Sequence, residues 1–181
     1  MLVLPLSAIK RYFLILFPAS LILQCVSGFA QNPEIRSLIP RYDITKPDGS
    51  HSSWRQLNQG QPALIIYFTP DCYHCHNFTK NLIENITSFK DFQIIMITGT
   101  KTEYPYLKLL QDFSKTYQLA RFRNITVGTE YPNYFVNDFY PIQTTPFVAM
   151  YGKSGNLIRS FIQPENVKEI LSEGKKHKLL K

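Results

Sequence analysis

Cysteine is scarce in this sequence of 181 residues, which contains only three, at positions 25, 72 and 75. A small exported domain that is held together by disulfides needs several cysteine pairs. Such a scaffold is excluded here, because the chain after residue 30 contains Cys72 and Cys75 alone. Two thiols three positions apart, with no other pair available, are therefore candidates for chemistry.

Concentrated charge and sequence repeats are also missing. The formal net charge is +7, and it is spread thinly apart from the tail at residues 175–181. Nucleic-acid binding would need a basic stripe with interleaved aromatic side chains along one element, and none is present. The chain has no internal repeat and no low-complexity segment, which excludes a solenoid. Its length and a hydrophobic content of 44% are sufficient for one domain with a real core.

A leader is present at residues 1–30. Lys10 and Arg11 form a charged region, and the twelve-residue apolar run "YFLILFPASLIL" follows it. Gly28 and Ala30 are small residues at the positions that a signal peptidase requires. The pattern predicts a signal peptide that is cleaved after Ala30.

The prediction of export does not depend on cleavage. Residues 12–30 give 19 mostly apolar positions and could instead remain as a single membrane anchor. A lipid attached to Cys25 is disfavoured, because Gln24 is too large for the position before a lipidated cysteine. In each case residues 31–181 form one exported domain.

The cysteines stand where one hydrophobic pattern changes into another. The continuous apolar run at residues 63–68, "ALIIYF", predicts a buried strand. After Pro70 the apolar residues recur at the spacing of one helix face. These residues are Cys75, Phe78, Leu82 and Ile86. A strand followed directly by an amphipathic helix is therefore predicted, with both thiols at the junction.

The next two elements repeat this order. Residues 92–98, "FQIIMIT", predict a second buried strand. A second helix is predicted with Thr102 as its N-cap and Pro105 in its first turn. Its apolar stripe consists of Tyr106, Leu109, Leu110, Phe113 and Tyr117.

The last third of the chain predicts a hairpin and a closing helix. Residues 125–143 are less regular, and "PFVAMY" and "NLIRSFI" then flank the turn signal "GKSG". Pro164 opens a last helix over residues 164–173, at the favoured first position. Strands that alternate with helices and end in a hairpin predict an α/β fold, with a central mixed β-sheet flanked by helices.

The sequence Cys72-Tyr73-His74-Cys75-His76 could form a redox dithiol, a haem attachment site or part of a metal site. Cys72 would lie at a helix N-terminus, where free N–H groups and the helix dipole stabilise a thiolate. Cys75, one turn further on, would face the core and be able to attack a mixed disulfide on Cys72. This division of roles makes Cys72 the nucleophile and Cys75 the resolving thiol.

Two alternatives use the same residues. Cys-X-X-Cys-His is the attachment sequence of c-type haem, but haem attachment does not use a cysteine that closes a buried strand. A metal site could be formed by Cys72, Cys75 and one histidine, as in exported proteins that deliver copper. The distant histidines available to it are His51 and His177. The metal-binding or metallochaperone module is the alternative to a redox enzyme.

A proline seventy residues away supports the redox interpretation. The sequence "QTTPF" places Pro146 at the start of a strand, where a proline cannot donate a hydrogen bond to its neighbour. A cis bond before Pro146 would leave the carbonyl and N–H groups of Thr145 free to pair with a peptide.

These features together resemble the exported thioredoxin-fold proteins of the TlpA/ResA type, within the redoxin (AhpC/TSA-like) group. The resemblance rests on the strand–CxxC–helix unit, on "TTP" before the hairpin and on "IPRYDITKPDG…LNQGQP" before the first core strand. It covers nearly all of residues 38–173. It implies a thioredoxin-like fold with an N-terminal strand extension and an insertion, at residues 119–140, before the strand that begins at Pro146.

The resemblance also implies an activity and its partners. Cys72, Cys75 and cis-Pro146, with Thr145 before it, would exchange disulfides with partner proteins without a dissociable cofactor. Cys72 and Cys75 would form the redox disulfide. The location would be the periplasm, in solution or anchored to the membrane, where a membrane-bound donor would supply electrons.

Two positions depart from thioredoxins proper. Ile66 stands where they carry a buried acid that relays protons, and Asp71 replaces the tryptophan before the first cysteine. His74 and His76 are the available substitutes for the relay. DsbA-type oxidants also carry a histidine at the position of His74, which implies that it helps to hold the thiolate. His76 is expected to be solvated.

An aromatic cluster precedes the Pro146 strand. Its members are Tyr131, Tyr134, Phe135, Phe139 and Tyr140. These side chains could pack in the core or line a substrate groove beside Cys72, and the sequence is compatible with both uses.

Overall fold

The structure, a computed structural model, describes residues 38–180. The predicted signal peptide at residues 1–30 and Cys25 lie outside the described residues. No helix in the described part of the chain is both long and apolar enough to cross a membrane.

A seven-stranded mixed sheet forms the centre of the domain. Its strands are β1 (Asp43–Thr45), β2 (His51–Ser53), β3 (Ala63–Tyr67), β4 (Gln93–Thr98), β5 (Ile125–Thr129), β6 (Phe147–Tyr151) and β7 (Leu157–Ile162). They lie in the order β2-β1-β5-β4-β3-β6-β7. Strands β3, β4 and β5 are parallel, whereas β6 runs antiparallel to β3. The carboxyl ends of β3 to β5 and the start of β6 therefore meet at one edge of the sheet.

Helices cover both faces of this sheet. They are α1 (Tyr73–Glu84), α2 (Tyr106–Thr116), α3 (Phe135–Phe139) and α4 (Lys168–Lys176). Leu64 and Ile66 of β3 point into one apolar cluster, to which α1, α2 and α4 contribute. Ile65 and Tyr67 point into a second cluster on the opposite face, with Val136 of α3. Burial on both faces explains why β3 is a continuous apolar run.

Helix α1 confirms the predicted amphipathic helix after Pro70. Cys75, Phe78 and Leu82 are completely buried on one face, where each large side chain contributes about 1.5–3 kcal/mol by leaving water. The helix ends at Glu84, and Ile86 lies in the short 3-10 turn that follows it.

The start of α2 differs from the prediction. Pro105, not Thr102, occupies the position before the first helical residue, Tyr106. Leu110 and Phe113 are buried as predicted, but Tyr106 is 42% exposed. The Lys101 ammonium group lies 5.7 Å from the centre of the Tyr106 ring, so this side chain covers a cation at the surface instead of packing in the core.

The last helix begins later than predicted, at Lys168 instead of Pro164. Two asparagine side chains explain the new start. Asn81 Oδ1 accepts a hydrogen bond from the Val167 N–H (3.0 Å), and Asn166 Oδ1 accepts one from the Lys168 N–H (2.9 Å). These side chains satisfy N–H groups that a helix leaves unpaired at its start, so the residues before them remain a turn.

Strand β5 was missed in the sequence, where residues 125–143 were predicted to be irregular. It pairs with β4 in parallel and meets Thr45 of β1. Gly128 interrupts the hydrophobic pattern for a physical reason, because a Cβ atom there would lie 2.8 Å from the Thr45 carbonyl oxygen. The predicted insertion at residues 119–140 therefore contains one strand of the sheet, and α3 lies in the segment that leaves the sheet after it.

Candidate active site

The two cysteines lie at the edge of the sheet where β3 ends and β6 begins. A tight turn joins β3 to α1, in which the Cys72 N–H donates to the Thr69 carbonyl (3.1 Å). The Phe68 N–H is bound to the Ile97 carbonyl of the neighbouring strand (3.0 Å), so the turn starts from a fixed point. This arrangement places Cys72 at the N-cap of α1.

Cys72 is the accessible thiol of the pair. It is partly buried, its side chain forms no hydrogen bond that caps α1, and both cysteines are free thiols. Its Sγ atom lies 3.7 Å from the carbonyl oxygen of Thr145. The sequence predicted this carbonyl to be free for a peptide, whereas here the thiol of Cys72 donates to it.

Cys75 is the inaccessible thiol. It is completely buried one helical turn beyond Cys72, and its sulfur accepts a hydrogen bond from the Thr69 N–H at 3.5 Å. As predicted, Cys75 faces the core of the domain. A substrate disulfide can therefore reach the sulfur of Cys72 before it reaches that of Cys75.

The environment separates the acidities of the two thiols. Partial burial alone would raise the pKa of Cys72, but contacts with the backbone and thiol of Cys75, the Thr145 side chain and the His74 backbone outweigh burial and lower this pKa. Burial raises the pKa of Cys75 to about 12. Cys72 is therefore the thiol of the pair that loses its proton more readily.

Thr145 connects the cysteines to the loop before β6. The peptide bond between Thr145 and Pro146 is cis, and Pro146 is buried. The hydroxyl groups of Thr145 and Thr69 lie 3.3 Å apart. The Thr145 side chain also lowers the pKa of both Cys72 and Cys75 by hydrogen bonding. One threonine thus contacts both reactive sulfurs from across the edge of the sheet.

His74 faces solvent. Its side chain is exposed, and its imidazole ring forms an edge contact with Tyr73, at 5.8 Å between ring centres. The group of His74 that lowers the pKa of Cys72 is the backbone N–H. Within residues 38–180 no hydrogen bond joins the imidazole to either sulfur, so the role that the resemblance implied for this ring stays a prediction.

His76 is not solvated, contrary to the sequence prediction. Its Nε2 atom lies 2.8 Å from the Pro70 carbonyl, and its Nδ1 atom lies 2.8 Å from the Tyr117 hydroxyl. The ring also packs against Phe113, with centres 5.1 Å apart. Because a carbonyl can only accept, Nε2 carries a proton. The Tyr117 hydroxyl also donates to the His76 carbonyl (3.1 Å). His76 therefore ties the turn before Cys72 to α2.

Ile66, at the position of the missing relay, is fully buried in the same apolar cluster as Cys75, so this position offers no acid to the buried thiol. A buried acid that was not predicted from the sequence lies on the other face, at the end of β5. Glu130 is 2% exposed and accepts hydrogen bonds from the N–H groups of Val136 (2.6 Å) and Asn137 (3.1 Å). It also accepts from the Tyr67 hydroxyl. The position of Glu130 between the end of a strand and the start of a helix was the sequence feature that could have indicated this buried acid.

The aromatic cluster divides between two uses. Tyr140 packs on Phe147, with ring centres 4.8 Å apart, and its hydroxyl is bonded to that of Tyr151. Phe135 is 46% exposed on α3. Some of these rings therefore belong to the core, and Phe135 faces outward.

The metal alternative lacks a third ligand in the described part of the chain. No group of three or more His, Cys, Asp or Glu side chains converges there. Both imidazole nitrogens of His76 are engaged. His51 lies beside Asp43 and His177 beside Glu173, each outside the cysteine site.

Strand order, helix placement and the cysteine pair at the end of β3 define a thioredoxin-like fold, and solved structures share it. One is a secreted Mycobacterium tuberculosis disulfide oxidoreductase homologous to E. coli DsbE, at 19% identity and a TM-score of 0.60, covering 75% of this chain and 96% of that one. The thioredoxin domain of a Bacteroides vulgatus thiol-disulfide oxidoreductase matches at 15% identity and a TM-score of 0.60, covering 80% and 96%.

StoA from Bacillus subtilis matches at 14% identity and a TM-score of 0.57, covering 75% of this chain and 98% of that one. At these identities the likeness establishes the fold. The sequence matches no protein-family model and no curated protein.

Proposed function

We propose that this protein is an exported thiol:disulfide oxidoreductase of the TlpA/ResA type, which exchanges disulfides with partner proteins through Cys72 and Cys75. The observation that carries the proposal is the asymmetry of the pair. Cys72 is accessible and has a lowered pKa, whereas Cys75 is buried and has a raised pKa. Known solved structures with the same fold include secreted and thiol-disulfide oxidoreductases.

The exchange begins at Cys72. Its thiolate attacks one sulfur of a disulfide in the partner protein, and the other sulfur leaves as a thiolate that takes up a proton. A mixed disulfide now joins Cys72 to the partner. The Cys75 thiol then loses its proton and attacks the Cys72 sulfur, which releases the second partner thiol. The partner has gained two electrons, and Cys72 and Cys75 have formed a disulfide.

The first step also prepares the second. A charged Cys72 raises the pKa of Cys75, by repulsion and through their hydrogen bond. The mixed disulfide carries no charge on Cys72, so both effects vanish when it forms. The Thr69 N–H and the Thr145 side chain remain to stabilise the Cys75 thiolate. This sequence of events supports resolution without the buried acid of thioredoxins.

Export completes the proposal. The leader at residues 1–30 would direct residues 31–181 to the periplasm, either released or anchored. In an oxidising compartment a membrane-bound thiol donor would return the pair to the dithiol state. Protein thiols and disulfides are the proposed substrates, and the net direction would be reductive.

Trapping of the intermediate tests the assignment. The test uses a Cys25→Ser background and a model protein substrate that contains a disulfide. In this background Cys75→Ser should accumulate a mixed disulfide with the substrate, because no resolving thiol remains. Cys72→Ser should accumulate none, since Cys75 is buried. Non-reducing electrophoresis and intact mass measure the adduct. Equal trapping through Cys75 would overturn the roles, and a pair that never cycles but takes up one copper or zinc ion would overturn the enzyme.

A further inference from the structure

A groove of about 1030 Å³ lies on the face of the sheet that carries α3, and it reaches the edge opposite the cysteines. It is lined by residues 38–41, by residues 54–55 and 57–61 before β3, by α3 and by the β6–β7 turn at residues 153–155. Strand β3 begins beside residues 54–61 and ends at the cysteine site, so the groove and the thiols are at opposite ends of this strand.

The floor of the groove is apolar and partly aromatic. It contains Leu38, Trp54, Leu57, Phe135 and Phe139. Leu38 is 51% exposed and Phe135 is 46% exposed, so the floor offers large apolar side chains to solvent. Exposed apolar surface in a concave site is a characteristic of binding sites.

Three cations surround this floor without a counter-charge. They are Arg41, Arg55 and Lys153, and no Asp or Glu lines the groove. The guanidinium carbons of Arg41 and Arg55 lie 5.5 Å and 5.0 Å from the centre of the Trp54 ring. Within residues 38–180 none of the three forms an ion pair, whereas Arg159 elsewhere on the surface pairs with Glu169 and Glu173.

The wall of the groove is fixed before any ligand arrives. The Asn58 N–H donates to Gln93 Oε1 (2.6 Å), and Gln93 Nε2 donates to the Asn58 carbonyl (3.0 Å). Leu38 forms an isolated antiparallel bridge with Asn156 of the turn on the other side. A pre-formed site requires less ordering when it binds.

We propose that this groove binds a partner-protein segment in which aromatic side chains alternate with Asp or Glu. Aromatic rings would cover the apolar floor, and carboxylates would pair with Arg41, Arg55 and Lys153. A purely apolar ligand would leave the three cations unpaired, and an inorganic anion would leave the floor uncovered. A membrane surface does not fit, because the site is concave while amphipathic membrane contact uses an outward-facing apolar surface.

Trp54 supplies a direct reporter, because it is the only tryptophan in the chain. The probe is the peptide acetyl-Gly-Asp-Phe-Glu-Phe-Asp-Gly-amide, titrated into the full chain while Trp54 fluorescence and calorimetric heat are recorded. We expect a saturable signal whose affinity falls as salt rises. The same peptide with Asn and Gln in place of its acids should bind about tenfold more weakly.

Two triple variants separate the groove from general charge. Arg41→Gln/Arg55→Gln/Lys153→Gln should weaken calorimetric binding of the acidic peptide about tenfold. Lys80→Gln/Lys115→Gln/Lys168→Gln removes the same charge from exposed positions outside the groove and should leave the affinity within about twofold. Equal losses in the two triples, or equal binding of the amide peptide, would overturn the proposal.

Two further measurements distinguish other binding modes. Cys72→Ser/Cys75→Ser should bind the acidic peptide with unchanged affinity, because the thiols lie at the other end of β3. Lost binding in that variant would place the peptide at the thiols and overturn the groove. Vesicles of anionic lipid should leave Trp54 fluorescence unchanged; a response to vesicles and none to the peptide would also overturn the proposal.

Discussion

The Sγ atom of Cys72 lies 3.7 Å from the carbonyl oxygen of Thr145, a residue 73 positions later in the chain. The two meet because β3 and β6 are antiparallel neighbours, so the end of one strand lies beside the start of the other. The same contact brings the Thr145 hydroxyl next to both sulfurs. The acidity of the pair therefore depends on a residue outside the Cys-X-X-Cys sequence.

Thr145→Val tests this dependence. The substitution retains the carbonyl and the shape of the side chain but removes the hydroxyl, whose hydrogen bond lowers the pKa of Cys72, so we expect this pKa to rise. The ultraviolet absorbance of the thiolate, followed against pH, measures this pKa. Thr144→Val is the control, because Thr144 is exposed and is not among the described hydrogen-bond partners of either sulfur. A Cys72 pKa that is equal in both variants would remove the hydroxyl from the site.

Glu130 predicts a dependence of stability on pH. Burial raises its pKa. A carboxyl group with a raised folded pKa binds its proton more tightly in the folded state, so its contribution to stability is complete below the ordinary value of about 4.3 and is lost as pH rises through the folded pKa. The wild-type protein should therefore lose stability over that window.

Glu130→Gln should flatten this pH dependence and lower stability by about 1–3 kcal/mol, because an amide has one oxygen and its nitrogen cannot accept from the second N–H donor. Urea unfolding at about pH 5 and pH 7 measures both effects. Glu84→Gln, at an exposed position of α1, should leave the pH dependence unchanged. A wild-type stability that rises over the window would contradict the assignment.

The sequence predicted those helices and strands whose buried side chains recur at a regular spacing within the element itself. Cys75, Phe78 and Leu82 lie on one helix face because burial of that face requires this spacing, and the continuous run of β3 follows from burial on both faces. The position of the cysteine pair was predictable for the same reason, since it depends only on a strand and the helix that follows.

Features that depend on distant partners were not predictable in this way. Gly128 is required because the backbone of β1 lies close to it. The hydrophobic pattern of β5 can therefore be recognised only when that neighbouring strand is known. His76 was predicted to be solvated because its partner Tyr117 is 41 residues away on α2. The start of α4 depends on Asn81 of α1 in a similar way.

Tyr117→Phe measures the connection between α2 and the turn before Cys72. The variant retains the ring contacts with His76 and Phe113 but removes the hydroxyl bonded to His76 Nδ1. We expect a loss of about 1 kcal/mol in the free energy of unfolding, measured in urea. Tyr106→Phe is the matched control on the same helix, because its ring is 42% exposed. Equal stabilities of the two variants would show that the His76–Tyr117 bond contributes nothing.

The reduction potential of the pair tests how the Cys72 thiolate is held. Stabilising a thiolate stabilises the reduced form and raises the potential, so we expect a value above that of thioredoxin, about −270 mV, and below that of the strongest oxidants, about −120 mV. Asp71 is exposed, and its opposing charge is screened. Equilibration with thiol redox buffers, followed by alkylation and intact mass, measures the potential.

His74→Ala separates the imidazole from the backbone in this effect. The backbone N–H that contacts Cys72 remains, and the ring that is lost is exposed. We therefore expect the potential to fall by less than about 30 mV, the equivalent of about 1.4 kcal/mol, and the pKa of Cys72 to rise slightly. Tyr73→Ala is the control, since Tyr73 is 71% exposed between the same two cysteines, and it should change neither quantity. A fall of about 60 mV or more in His74→Ala alone would make the imidazole, instead of the helix terminus and Thr145, the main support of the thiolate.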